Sequence, residues 1–325
     1  MRIALVTTSW PADEDDASGH FVRAEARELE REGHEVVVVA PCFPGEDTAF
    51  GWPGVAARLR ERPSRIVDAV RWVGAARARV ARLAVDRVVA HWAVPSAWPI
   101  AAAARGAEVE VVSHGGDVRL LGATPRRMRE AIVGAIAGRA ACWRFVSPAL
   151  LDELLAAIGP EARARVERIA QVRAAAVEMP DVADAVAARR RELAGTRVAV
   201  SVGRLVTGKR VDRAIEHVAR TRAFDALVVV GDGPERDRLE ALARARGVDA
   251  RFVGKVPRGD ALAWIGAAAV LLHGSEAEGC STVLREAEAL GTPVVRLPGG
   301  GLHANAAEPG RTCPGSSSQA PTTDE

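Results

Sequence analysis

The chain reads as an α/β protein, with two doubly wound parallel-sheet domains facing a central cleft. Three observations predict this. Short apolar runs alternate with amphipathic stretches along most of the sequence, the pattern of parallel strands covered on both faces by helices. At 325 residues the chain exceeds one average domain, so two are expected. Finally, Gly19, His91, His114, Gly203-Arg204, Gly231 and Glu278 each follow the carboxyl end of a predicted strand. Ligands bind at that edge in open α/β sheets, so two facing domains would gather all six in one cleft.

Residues 2–8 form the first short strand. A loop over 9–19 leads to a helix from about 20 to 31, closed by Gly33-His34, and 35–40 is the next strand. Strand, glycine-bearing loop, helix and strand make a Rossmann-like βαβ unit. Gly19 is either a plain turn residue or a glycine that lets the loop approach a ligand. Asp13-Glu14-Asp15 matches an Asp-x-Asp metal pattern in form, but an exposed acidic loop is commonplace. Residues 41–85 carry little pattern. Eight arginines between Arg58 and Arg82 stud one or two helices there, either as a solvated face or as a contact for an anionic lipid surface or a lipid-linked acceptor. From 86 the alternation resumes, with a strand over 86–90 ending in His91-Trp92 and a helix from Pro95 to about 104. His91 reads as a core or cleft-lining side chain. A strand over 108–113 ends in His114-Gly-Gly-Asp117. Then come a helix over 125–138, a strand over 141–146, and a helix capped by Ser147-Pro148 that runs to 158. Residues 160–178 read as helical, and the charged run 179–195 as a hinge.

The second half repeats the logic. A strand over 197–202 runs into Gly203-Arg204, and a helix starts near Lys209. A strand over 226–230 runs into Gly231-Asp-Gly-Pro234, with proline at the first helical position and the helix ending near Gly247. A strand over 250–253, a helix over 257–267 and a strand over 267–272 follow. The last helix has Ser281 or Thr282 as its N-cap. Its residues Gly279, Cys280 and Ser281 put free N–H groups at a helix N-terminus, a place for an anion. A helical wheel sets Glu286 on the apolar face with Val283 and Leu290, and turns Arg285 and Glu288 away. A buried carboxylate needs a partner, either a neighbouring backbone amide or a ligand hydroxyl. Gly291-Thr-Pro then precedes a short strand at 294–295.

Composition narrows the function. With 44 basic and 42 acidic residues, nothing argues for a polyanion-binding protein, and no nucleic-acid partner is expected. Only Lys209 and Lys255 are lysines, so the cationic side chains are nearly all arginine. That skew weakens arguments from arginine clusters and strengthens those from a lysine. Cys42, Cys142, Cys280 and Cys313 are far apart and read as free thiols in a reducing compartment. Met1-Arg2 leads straight into a strand, with no signal peptide visible, and the apolar run 88–104 is too short to span a bilayer. A cytoplasmic protein is expected, peripheral at the inner membrane face if the 58–82 region touches lipid. No carboxylate or histidine set stands at metal-ligand spacing, so no metal and no cofactor are expected.

Glu278-x7-Glu286 followed by Ala-Leu-Gly-Thr-Pro-Val-Val295 resembles the family 4 retaining glycosyltransferases (glycosyl transferases group 1), which have the GT-B fold. The resemblance runs to Gly301 and is strongest over 198–295. It implies that Glu278 faces a donor sugar, that Gly279, Cys280 and Ser281 face the sugar and diphosphate, and that Glu286 holds the nucleotide ribose. Gly203-Arg204-Leu-x-x-x-Lys209 resembles the family's diphosphate clamp, and Gly19 the glycine beside the donor phosphates. His114-Gly-Gly-Asp117 resembles the acceptor-domain loop whose histidine reaches the donor sugar. Gly231-Asp-Gly-Pro234 resembles the turn near the nucleotide.

Residues 1–178 would then be the acceptor-side domain, 179–308 the donor domain and 309–325 a disordered tail. The implied reaction moves a sugar from a nucleotide-diphosphate sugar to a hydroxyl acceptor, lipid-linked or glycan, with retention and without metal. Glu278 and His114 would orient the sugar, while Arg204 and Lys209 neutralise the leaving diphosphate. The family continues with further strand and helix after its glycine-rich turn, whereas only 24 residues follow Gly299-Gly-Gly301 here, so the donor domain reads as truncated. An inactive or partner-dependent nucleotide-sugar-binding protein is therefore the alternative, and a GT-B nucleotide-sugar epimerase is a third.

Overall fold

The computed structural model describes residues 1–13, 16, 18–41, 48–50, 55–275 and 281–297, with side chains at 56 and 57 excepted. Within these residues lie two parallel sheets, each with helices on its faces. The first contains β1 (Arg2–Val6), β2 (Glu35–Val39), β3 (Arg87–His91), β4 (Glu108–Ser113), β5 (Cys142–Phe145) and β6 (Ala170–Val172) in the order β2-β1-β3-β4-β5-β6. Its register runs from Ile3 opposite Val36 and Arg87, through Arg87 opposite Glu108, to Trp143 opposite Ala170. The second contains β7 (Val198–Val202), β8 (Ala226–Val230), β9 (Ala250–Gly254), β10 (Val270–His273) and β11 (Val294–Arg296) in the order β11-β10-β7-β8-β9. The central strands are buried on both faces, which is why they read as continuous rather than alternating apolar runs.

The first sheet is covered by α1 (His20–Arg31), α2 (Val55–Glu61), α3 (Ile66–Val80), α4 (Gly116–Ala123), α5 (Arg126–Arg139), α6 (Pro148–Ala157) and α7 (Pro160–Ile169). The second has α8 (Ala183–Glu192), α9 (Val211–Thr221), α10 (Arg236–Arg246), α11 (Arg258–Ala267) and α12 (Thr282–Ala289). A large cluster around Ile3, Val89, Val111, Leu121, Trp143 and Phe145 fills the first domain. Two clusters fill the second, one on each side of the sheet, centred on Val200, Val228 and Leu271 and on Ala199, Leu227 and Val229.

Several expectations from the sequence are corrected. Residues 160–178 are not one helix, because α7 ends at Ile169 and β6 pairs with β5 at once. A three-residue strand of mostly exposed residues leaves no periodic signal. The charged run 179–195 contains α8, which packs on α11. Arg190 donates two bonds to Gly266 O (3.1 and 2.8 Å), and Arg189 lies 4.1 Å over the Trp264 ring, so the charges tie this helix down rather than mark a hinge. The expected helix over 95–104 is irregular. Val94 and Trp98 are non-helical, and each precedes a cis proline, Pro95 and Pro99, whose missing N–H interrupts the ladder. The His114-Gly-Gly-Asp loop runs straight into α4, a helix that the sequence pattern does not show. Pro234 precedes the Glu235 N-cap instead of opening α10. Residues 267–269 close α11 and lead into β10, so that strand begins at Val270.

Candidate functional site

Strand order places the site. In the first sheet the connections reverse direction between β1 and β3, and in the second between β7 and β10. Open α/β sheets hold ligands at the carboxyl ends of the strands at such a point. Gly19 and His91 stand at the first, with His114 one strand further on. Gly203–Lys209 and the loop to Ser281 stand at the second.

The two edges meet. His20 Nε2, at the start of α1, lies 3.5 Å from Glu286 Oε1 on α12. Lys255 Nζ, just past β9, lies 3.6 Å from Asp16 Oδ1 in the loop after β1. Arg285 donates to the carbonyl of Ala175. Gly19 has φ of 73°, and a Cβ there would come within 2.4 Å of Ser9 O. Only glycine lets α1 begin against the β1 loop, so its demonstrable role is backbone approach.

On the first domain's side, Asp117 organises the loops. Its carboxylate accepts from Ala93 N (2.8 Å), His114 N (3.1 Å) and Gly115 N (3.0 Å), joining the ends of β3 and β4. The His114 ring is half-buried and lies edge to edge with His91, nearly coplanar with it, with centroids 5.2 Å apart, rings 13° from parallel and Nε2 3.0 Å from His91 Nδ1. Phe21 and Trp92 lie against it at 4.7 and 5.0 Å. His91 is fully buried, so of the two expectations it fulfils the core one. Burial holds its pKa down to about 4, against the pull of Glu25 and with the help of Arg144. Burial and the neighbouring His91 depress His114 as well. Burial alone would raise Glu25, but His91 and Arg144 outweigh it and bring that carboxyl to about 2.

On the second domain's side, glycines pack two loops face to face. A Cβ on Gly231 would lie 2.0 Å from Gly203 O, and one on Gly233 2.5 Å from Leu205 O. The backbone bonds Leu205 N to Asp232 O (2.8 Å) and Glu235 N to Leu205 O (3.0 Å) close the arrangement. Arg204 and Lys209 stand half-exposed on this mount, Lys209 at the end of a single 3₁₀ turn, so α9 begins two residues later than the sequence suggested. Arg213 donates to Gly274 O (3.1 Å), which ties the loop after β7 to the one after β10.

Ser281 is the N-cap of α12, buried, with no side-chain cap bond. Glu278, Gly279 and Cys280 lie outside the described residues, as do Glu14 and Asp15 of the Asp-x-Asp pattern. Among the described residues no group of three or more His, Cys, Asp or Glu could hold a metal ion. Glu286 is buried and Glu288 exposed, as the wheel indicates. Its partner, however, is neither a backbone amide nor left open. Arg258 Nη2 reaches Glu286 Oε1 at 3.1 Å while also donating to Glu178 O (2.5 Å). Both protein contacts use Oε1, and Oε2 has no hydrogen bond among the described residues.

Sequence reasoning missed His20, Phe21, Glu25, Arg144 and Arg258. His20 and Phe21 directly follow Gly19, so the helix N-terminus was a usable signal. Arg144 and Arg258 had none, because an arginine in this arginine-rich chain does not stand out.

Comparisons with known proteins identify the family and the fold. Residues 186–311 match the family model of glycosyl transferases group 1, and residues 17–170 that of the glycosyl transferase 4-like domain. The chain is 30% identical over 329 residues to a GDP-mannose-dependent alpha-mannosyltransferase of Mycobacterium tuberculosis, covering 93% of this chain and 80% of that protein. Its fold is similar to that of Anabaena HepE in complex with UDP and glucose (TM-score 0.64, 18% identity, 91% and 80% covered). It is also similar to sucrose-phosphate synthase from Thermosynechococcus elongatus (TM-score 0.61, 21% identity, 91% and 80% covered). The chain belongs to the glycosyl transferases group 1: it is a glycosyltransferase with the two-domain GT-B fold.

Proposed function

We propose that the protein transfers a sugar from a nucleotide-diphosphate sugar to a hydroxyl acceptor, with retention at the anomeric carbon and without a metal ion. Residues 1–178 take the acceptor and 179–308 the donor. One observation carries this reading: the Gly203–Lys209 loop and α12 flank the point where the second sheet reverses, the place where such sheets hold nucleotides. Glu286 Oε2 accepts ribose hydroxyls while Arg258 fixes the other oxygen. Arg204 and Lys209 meet the diphosphate, whose negative charge grows as the sugar leaves, so fixed cations lower the barrier. His114 and Glu278 orient the sugar, the amides of Gly279, Cys280 and Ser281 face the sugar and phosphates, and Gly19 borders them. The departing phosphate oxygen takes the acceptor's proton, which removes the need for a separate base. The likeness to a GDP-mannose-dependent enzyme makes GDP-mannose the first donor to try, and UDP-glucose the second.

The test is calorimetric. Arg204→Ala and Lys209→Ala should each weaken nucleoside diphosphate binding by roughly 1.5–3 kcal/mol, the worth of a charged hydrogen bond, and leave the bare nucleoside unchanged. Equal losses for both ligands would mean that the substitutions disturb the fold and not a phosphate clamp.

A lipid surface as a further partner is favoured by α3. Ile66, Val67 and Val70 are 51%, 52% and 64% exposed at its first turns, and Arg71 and Arg77 flank them. No helix among the described residues is long and apolar enough to cross a membrane, so contact would be peripheral, at the cytoplasmic face. The protein should sediment with vesicles containing phosphatidylglycerol, and Ile66→Ser/Val70→Ser should release it. Indifference to these substitutions would refute the docking face.

A further inference from the structure

We propose that His91 and Glu25 are positioning residues that fix His114 as a hydrogen-bond acceptor toward the donor sugar. The inference rests on the sugar-facing role of His114 given above.

Beneath α1, one face of the first sheet carries a buried line of alternating charge. Arg87 meets Glu110, Glu110 meets Arg144, and Arg144 meets Glu25. Arg173 adds a more distant cation, 3.9 Å from Glu25 Oε1. The line ends at His91, whose Nε2 is buried, has no hydrogen-bond partner among the described residues, and lies 3.6 Å from Glu25 Oε2. That separation is too long for a hydrogen bond but short for electrostatics in a buried place.

The consequence runs through the tautomers. Both rings are neutral near pH 7, since burial disfavours the charged form of each. A neutral His91 must point either an N–H or a lone pair from Nε2 at the Glu25 carboxylate. An anion favours the N–H, so the proton sits on Nε2 and Nδ1 is an acceptor. The partner of that acceptor, 3.0 Å away, is His114 Nε2, which must then carry its own proton. His114 Nδ1 is left with a lone pair and makes no hydrogen bond among the described residues. Asp117 holds the loop backbone and does not bond to this nitrogen. Removing Glu25 abolishes the preference, and the polarity of the whole relay becomes undefined.

Side-chain ¹⁵N–¹H correlation spectra of the seven histidines, with His91→Phe and His114→Phe for assignment, read the tautomers directly. At pH 7 both rings should be neutral and protonated on Nε2. Glu25→Gln should bring His91, and with it His114, to a mixture. A wild-type His114 protonated on Nδ1, or spectra indifferent to Glu25→Gln, would overturn the proposal; the wild-type spectrum alone decides if the variant does not fold. A binding arm follows with GDP-mannose and UDP-glucose against GDP and UDP. His91→Phe should remove about tenfold of the affinity added by the sugar, the worth of one hydrogen bond, while the diphosphate stays within about twofold. His91→Gln, whose amide oxygen still accepts, should recover part of it. Equal loss for sugar nucleotide and diphosphate would make His91 merely structural. A His114→Ala variant that keeps the whole sugar contribution would instead sink the role of His114, and the tautomer result would stand by itself.

Discussion

Lowering the pH from 7.5 to 5 should destabilise the protein through His91. The folded ring has a pKa of about 4, against an ordinary 6.5. As pH falls through 6.5 the unfolded chain takes up a proton that the folded chain refuses until near 4. Stability fully present above 6.5 is therefore lost progressively toward pH 4. At pH 5 nearly all unfolded molecules carry this proton and roughly a tenth of folded ones do, which amounts to about 2 kcal/mol. His114 and His217 are also depressed and act in the same direction. Glu25, lowered from 4.5 to about 2, stabilises above 4.5 and loses that effect only below it, so this window isolates the histidines. The assay is a urea melt of wild type and His91→Phe at both pH values. The variant cannot titrate at this position, so its loss between pH 7.5 and 5 should be smaller by about 2 kcal/mol. Identical pH dependence in the two proteins would refute the buried neutral histidine.

Two further outcomes follow from packing and charge. Gly231→Ala, with φ of 124° and a Cβ 2.0 Å from Gly203 O, should lower stability by about 2–4 kcal/mol in a urea melt, whereas Gly208→Ala, with nothing within 4 Å, should change little. Glu286→Gln should weaken nucleotide binding by about 1–3 kcal/mol in calorimetry and also lower stability, because Arg258 stays buried without its carboxylate, while the exposed Glu288→Gln should do neither.

The strands were the most legible part of the chain. The run 226–230 is buried at every position, and an unbroken apolar stretch between glycine-bearing loops can be little else. The burial of Glu286 and exposure of Glu288 were legible too, since helical geometry fixes both once the N-cap is known. Its partner was not, because Arg258 is 28 residues away and chemically ordinary here. β6 was illegible for a different reason. It is an edge strand held by ladder bonds to β5, with only Ala170 half-buried, so no side-chain pattern records it. The line from Arg87 to His114 joins β3, β4, β5 and α1, and on the strands sequence patterning shows only that a polar residue interrupts an apolar run.

In the proposed reading a nucleotide-diphosphate sugar is held at the carboxyl edge of the second sheet without metal. The most direct measurement is a titration of GDP-mannose and UDP-glucose into the full chain, with and without EDTA, repeated on Arg204→Ala. At least one of them should bind saturably, unchanged by EDTA and weakened by roughly 1.5–3 kcal/mol in the variant. Binding abolished by EDTA, or untouched by Arg204→Ala, would contradict that reading.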